Sequence, residues 1–185
     1  MKRVLVFLAD GFEECEGLLV VDILRRAGFE ATTVSVMDHQ QICSSHQVKV
    51  IADKMAADVD FASYDGVVLP GGIPGTPNLA ASGVVQEVCK AFAEQGKLVA
   101  AICAAPSVLG GLGLLQGKKA TVFPGMEDTL TGATPTAGEV VCDGNIITSR
   151  SMGTAIPFAL TIVSYFEGHE KAAQLAHGIC YEHFN

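Results

Sequence analysis

The chain has 185 residues, 49% of them hydrophobic, with no tryptophan, a mean hydropathy of +0.37, a net charge of −8 and a pI near 5.0. This length suits one domain, 1–185, with a full core, and the acidity excludes a nucleic-acid or anionic-membrane binder, because phosphate contacts need a basic footprint. The apolar run behind Met1-Lys-Arg3 imitates a signal peptide but meets Asp10, Glu13, Glu14 and Glu16 after six residues. No stretch approaches the ~20 apolar residues that span a bilayer, so a cytoplasmic protein is expected.

Val4–Ala9 reads as a first strand. Glu14–Ala27 carries Leu18, Leu19, Val21, Ile23 and Leu24 at helical spacing and stops at Gly28, which predicts a helix. Ala31–Val36 reads as a second strand, followed by a polar turn and a short hairpin over Cys43–Ile51. Gly66–Leu69 is a buried strand that runs into Pro70-Gly71-Gly72. A helix over Val84–Ala93 ends near Gly96, Leu98–Ile102 is the strand before Cys103, and Ala104–Leu109 starts the next helix. Short strands are expected at Ala120–Val122, Val140–Cys142 and Asn145–Thr148, the last two joined by the hairpin dipeptide Asp143-Gly144. Ala155–Phe166 and Glu170–His177 close the chain as helices, and Pro157 fits a first turn, where its missing N–H costs nothing. The alternation predicts an α/β fold, a mostly parallel sheet with helices on both faces. No linker or repeat divides it.

In such a sheet, ligands bind at the carboxyl ends of the strands. Three loops there carry unusual residues: Asp10–Glu16, Pro70–Gly75 and Cys103–Pro106. Cys103 lies where a strand hands over to a helix, and the outward N–H groups of a helix start favour thiolate. Alone, it reads equally well as a buried core cysteine. Gly71 and Gly72 allow backbone N–H groups to approach a ligand and, with the amide of Ala104, to form an oxyanion hole; alone, Pro-Gly-Gly is also an ordinary turn. Glu13 and Glu14 are read as serving only the helix macrodipole. Glu16 falls among apolar neighbours on the face of Val20, so its carboxyl is expected to share one proton with the Cys103 sulfur and to act as acid or base.

No histidine adjoins Cys103, although histidine is the usual base for such a thiol. His46 in the hairpin is the candidate to reach a site, that of a partner subunit, while His39, His169, His177 and His183 read as surface positions. Cys15, Cys43, Cys89, Cys103, Cys142 and Cys180 show no C-x-x-C and no paired metal spacing. Free thiols and no metal are therefore expected.

Ala9-Asp-Gly-Phe-Glu-Glu-Cys-Glu16, Asp22-Ile-Leu-Arg-Arg-Ala-Gly28, Tyr64-Asp-Gly-Val-Val-Leu-Pro-Gly-Gly72, Ala100-Ala-Ile-Cys-Ala-Ala-Pro106 and Thr148-Ser-Arg-Ser-Met-Gly-Thr154 together resemble the ThiJ/PfpI superfamily. The resemblance covers essentially the whole chain and is closest to the branch of the bacterial protein YajL and the human parkinsonism-associated deglycase. It implies a flavodoxin-like three-layer sandwich without a cofactor. It also implies a homodimer, with helix 14–28 and Arg25-Arg26 at the interface. Cys103 is implied as nucleophile and oxidation-sensitive thiol, Glu16 as its hydrogen-bonded partner, and the Gly72 and Ala104 amides as oxyanion donors.

The implied activity is cysteine-dependent chemistry on small α-oxoaldehydes or glycated substrates, of the glutathione-independent glyoxalase or deglycase type. The alternative is a redox sensor or stress chaperone with little turnover, under a label of thiazole monophosphate biosynthesis. Two departures matter. Ala104 stands where family peptidases carry histidine, which discounts peptidase activity. Phe123-Pro124 stands where close relatives often carry histidine before the proline, and His46 where they carry arginine, so weakened or altered α-oxoaldehyde activity is expected.

Overall fold

The computed structural model describes residues 1–184. In chain order the elements are β1 (Arg3–Leu8), α1 (Glu14–Arg26), β2 (Glu30–Ser35), β3 (Gln41–Cys43), β4 (Lys49–Ile51), β5 (Lys54–Met55), β6 (Gly66–Leu69), α2 (Gly75–Ala81), α3 (Gly83–Glu94), β7 (Leu98–Ile102), α4 (Pro106–Gly111), β8 (Lys119–Ala120), β9 (Thr134–Pro135), β10 (Val140–Asp143), β11 (Ile146–Ser149), α5 (Ala155–Glu167) and α6 (His169–Gly178).

Side-chain alternation in β1 decides the layers. Val4, Val6 and Leu8 join one apolar cluster, Leu5, Phe7 and Ala9 the other, and none of the six is exposed. A strand buried on both faces needs helices on both. Leu24 of α1 and Phe158 and Ile162 of α5 cover the first face, with Ala172 and Ala176 of α6. Leu79 of α2, Val88 and Phe92 of α3 and Val108 of α4 cover the second.

Seven strands form the central sheet in the order β10-β11-β7-β6-β1-β2-β5. All neighbours are parallel except β10 and β11, which form the hairpin around Asp143-Gly144. The run β2-β1-β6-β7-β11 is the flavodoxin-like strand order, as expected. From β1 the chain steps outward to β2, then returns to β6 on the other side of β1. That reversal opens a crevice at the carboxyl ends of β1 and β6, the usual place for a ligand in such a sheet. β3 and β4 make a separate antiparallel hairpin, and β8 and β9 a second small ladder.

The differences from expectation are local. α4 begins at Pro106 and not at Ala104. Cys103 adopts a left-handed backbone, φ 64°, and the Ala105 N–H turns back to the Ile102 carbonyl at 3.0 Å, so the helix starts later. α2, β5 and β9 have no counterpart among the expected elements. Among the described residues, no helix is long and apolar enough to cross a membrane.

Candidate functional site

The loops after β1, β6 and β7 meet at the crevice and bring Glu16, Gly71, Gly72, Cys103 and Ala104 together. Cys103 is fixed by its own backbone: its N–H donates to the Ser149 carbonyl at 3.0 Å, and its carbonyl accepts from the Phe123 N–H at 2.8 Å. A non-glycine residue in this region costs about 1–3 kcal/mol and persists only when its surroundings hold it there. The side chain is half-buried and opens on a cavity of about 330 Å³, walled mainly by Gly72, Ile73, Ala104, Phe123 and Met126.

Glu16 lies in the first turn of α1 and has no solvent exposure. Its own N–H is capped by Glu13 Oε2 at 2.7 Å, and its Oε2 accepts from the Gly71 N–H at 2.9 Å. Gly71 is what lets carboxyl and thiol share one place. A Cβ there would lie 2.6 Å from Cys103 Cβ and 2.7 Å from Glu16 Oε2, closer than atoms can pack. Gly72 adopts φ 94°, which a side chain rarely tolerates, and so turns its N–H toward Cys103. Glu16 Oε1 makes no well-formed hydrogen bond, although it is buried. The Cys103 thiol and the Met152 amide are the groups close enough to ease its charge.

Burial pushes the Glu16 carboxyl up to about 7, and the charge of Glu13 adds to the rise; Cys103 and the Gly71 and Met152 amides oppose it. Burial likewise pushes the Cys103 thiol up to about 12, with the Glu16 carboxylate adding to it and the Ala104 and Gly72 amides pulling it down. The thiol depression expected from a helix start is therefore outweighed, by burial first and by the Glu16 carboxylate after it. α4 is only six residues long and starts beyond the turn, so its dipole gives little help. Cys89 provides the contrast. Its thiol is also pushed up to about 12, but by burial alone, with no donor beside it.

His46 does not line the Cys103 cavity of its own chain. Its exposed ring places Nδ1 3.0 Å from Glu14 Oε1 and 3.9 Å from Glu13 Oε1. Glu14 therefore does more than serve the macrodipole. The three side chains are compact enough for a cation, with ligand atoms within 4.8 Å of one another, but they already pair among themselves and cap α1. His39, expected at the surface, bridges Asp38 at 2.6 Å and Asp10 at 3.0 Å. Asp10 Oδ1 also accepts from the Cys43 N–H at 2.8 Å, and the Asp10 carbonyl accepts from Asn78 Nδ2 at 2.8 Å, which ties the first loop to β3 and α2. Ser149 and Met152 are supporting residues that no spacing singles out, and Asp10 opens the expected Asp10–Glu16 loop without a role assigned to it there. An aspartate directly after a buried strand was the one available signal.

Residues 2–165 match the model of the DJ-1/PfpI family. The chain is 41% identical over 175 residues to Protein DJ-1 homolog B of Arabidopsis thaliana, covering 94% of this chain and 40% of that one. It is 39% identical over 180 residues to Protein dj-1beta of Drosophila melanogaster, covering 96% of each. Glutathione-independent glyoxalase DJR-1.2 of Caenorhabditis elegans is 32% identical over 182 residues, covering 97% of this chain and 96% of that one. Thus the chain spans less than half of the plant relative and nearly all of the two animal ones. The solved structure of oxidized Toxoplasma gondii DJ-1 matches with a TM-score of 0.95 at 37% identity, over 99% of this chain and 100% of that one.

Proposed function

This chain belongs to the DJ-1/PfpI family, and from that membership and the pairing of Cys103 with Glu16 we propose that it is a cysteine-dependent enzyme acting on α-oxoaldehydes. The observation that carries the reading is a fully buried carboxyl that accepts from the Gly71 N–H and shares that glycine with a half-buried thiol, a burial that pushes the carboxyl up to about 7. A thiol pushed up to about 12 does not lose its proton to water at neutral pH. Glu16 is the base within reach: its carboxyl and the Cys103 thiol meet beside Gly71 closely enough to hydrogen-bond, and among the described residues Cys103 is the titratable side chain on the cavity walls.

The Cys103 proton passes to Glu16 as the sulfur bonds to the aldehyde carbon. The developing oxyanion lies against the Gly72 and Ala104 amides, then takes the proton from Glu16 to give a hemithioacetal. Glu16, again a carboxylate, removes the hydrogen from the former aldehyde carbon and returns it to the neighbouring ketone carbon through an enediol. Water then hydrolyses the resulting thioester, releasing a 2-hydroxy acid and restoring the thiol. The aldehyde carbon is oxidised and the ketone carbon reduced, so water is the only co-reactant. On an early glycation adduct, an aminocarbinol, the C–S bond replaces the C–N bond at the former aldehyde carbon and the amine leaves with the Cys103 proton, relayed by Glu16; the resulting hemithioacetal then follows the same course.

The glyoxalase name of the nematode relative supports this reading. Cys103→Ala is expected to abolish lactate formation from methylglyoxal while the circular dichroism spectrum stays native. Turnover that persists in this variant rules out the mechanism. A stress-sensing thiol with little turnover is separated by the same assay, since the native protein would then form no lactate.

A further inference from the structure

We propose that the cavity beside Cys103 selects α-oxoaldehydes with an aryl or bulky apolar substituent, and that Phe123 sets this preference. The inference rests on the reading of Cys103 as the thiol that attacks the aldehyde. Beyond the sulfur and the amides of Gly72 and Ala104, the walls are the apolar side chains of Ile73, Phe123, Pro124 and Met126. At about 330 Å³ the space is of the order that holds a whole small ligand and leaves room around a methyl group.

Two large apolar side chains at this cavity remain in water, Ile73 at 64% and Phe123 at 42% exposure. An aryl substituent would cover both and could stack on the phenyl ring of Phe123. A polar or charged substituent would lose water without gaining a partner, because no wall side chain offers one. The position of Phe123 is fixed relative to the reacting sulfur. Its N–H donates to the Cys103 carbonyl at 2.8 Å, and its own carbonyl accepts from the Met126 N–H at 3.0 Å. The Gly125 N–H, bonded to the Glu127 carboxylate at 2.9 Å, closes the same turn. The ring thus stands on a braced turn that shares a hydrogen bond with the nucleophile.

The test is the ratio of kcat/KM for phenylglyoxal to that for methylglyoxal, in the native protein, Phe123→Ala and Phe123→Leu. Comparing the ratio between variants removes the intrinsic difference in reactivity of the two aldehydes. Phe123→Ala should lower it about tenfold, equivalent to about 1.4 kcal/mol, and Phe123→Leu should fall between. A ratio unchanged in both variants overturns the proposal. The half-exposed ring makes few demands on folding, and a native circular dichroism spectrum checks that each variant is folded. If the native protein turns over neither aldehyde, the enzymatic reading fails, and the cavity is then read by alkylation. The rate of Cys103 labelling by iodoacetanilide relative to iodoacetamide should still fall in Phe123→Ala; an unchanged ratio there overturns the aryl preference by itself.

Discussion

Glu16 is a stability liability and a proton store at once. Its carboxyl is unexposed, and burial first of all raises its pKa from an ordinary 4.5 to about 7. The native state therefore keeps a proton that the unfolded chain gives up between these two values. Its stabilising contribution is complete below about pH 4.5 and is lost as pH rises toward 7, where the folded group also ionises. Within that window the slope approaches about 1.4 kcal/mol per pH unit. Glu16→Gln keeps an oxygen to accept from the Gly71 N–H but cannot titrate. Urea unfolding at a series of pH values should show the stability of the native protein, measured relative to Glu16→Gln, falling across the window and levelling above it. A difference that stays constant with pH would mean that Glu16 titrates as an exposed carboxylate does.

At the scale of elements, the site depends on how β11 ends. Ser149 is unexposed and supplies the carbonyl that fixes the Cys103 N–H. Its hydroxyl donates to the Glu139 carbonyl at 2.8 Å and meets Thr154 Oγ1 at 2.7 Å. These bonds join β11 to the segment before β10 and to the turn at Met152–Thr154, whose Met152 amide reaches Glu16. Ser149→Ala removes two part-buried hydrogen bonds whose partners water can partly reach, at a cost of about 1 kcal/mol. Urea unfolding should show a lower midpoint with an unchanged slope, and an unmoved midpoint would mean that solvent replaces the hydroxyl.

The same element shows what was legible in the sequence. β6 and β7 run from end to end where expected, because burial on both faces writes a continuous apolar run. α2 hides behind Gly75-Thr-Pro77, which reads as loop, and two-residue strands such as β5 and β9 carry no periodicity. Glu16 was visible as a carboxyl on an apolar helix face, and Gly71 and Gly72 as a break after a buried strand. Ser149 and Met152 were not, because the parallel pairing of β11 with β7 returns them from far along the chain. No spacing announces such a register.

For the whole molecule, large apolar side chains are exposed away from the cavity as well as at it. Val48 and Ile51, 43% and 70% exposed, stand on or beside β4. The hairpin is fastened to the loop before α1 through the Ser45 N–H, which donates to the Phe12 carbonyl at 2.8 Å, and to the start of α1 through His46 on Glu14. Helix and hairpin thus present one surface. The arginines expected at a dimer interface pair within the chain, Arg25 with Asp53 at 2.7 Å and Arg26 with Asp22 at 2.7 Å. A homodimer through this face would be held by apolar contact, with roughly 800 Å² buried per partner for a stable pair. Ile51→Glu would set a charge in that contact, so light scattering at micromolar concentration should show a dimer for the native chain and a monomer for the variant. A native monomer, or a dimer indifferent to this change, would mean that the face is not the interface. Salt gives an independent reading, because each copy carries a net charge of −8. Screening weakens the repulsion between two acidic copies, so a dimer held by apolar contact tightens as salt is added, whereas one held by arginine pairs loosens.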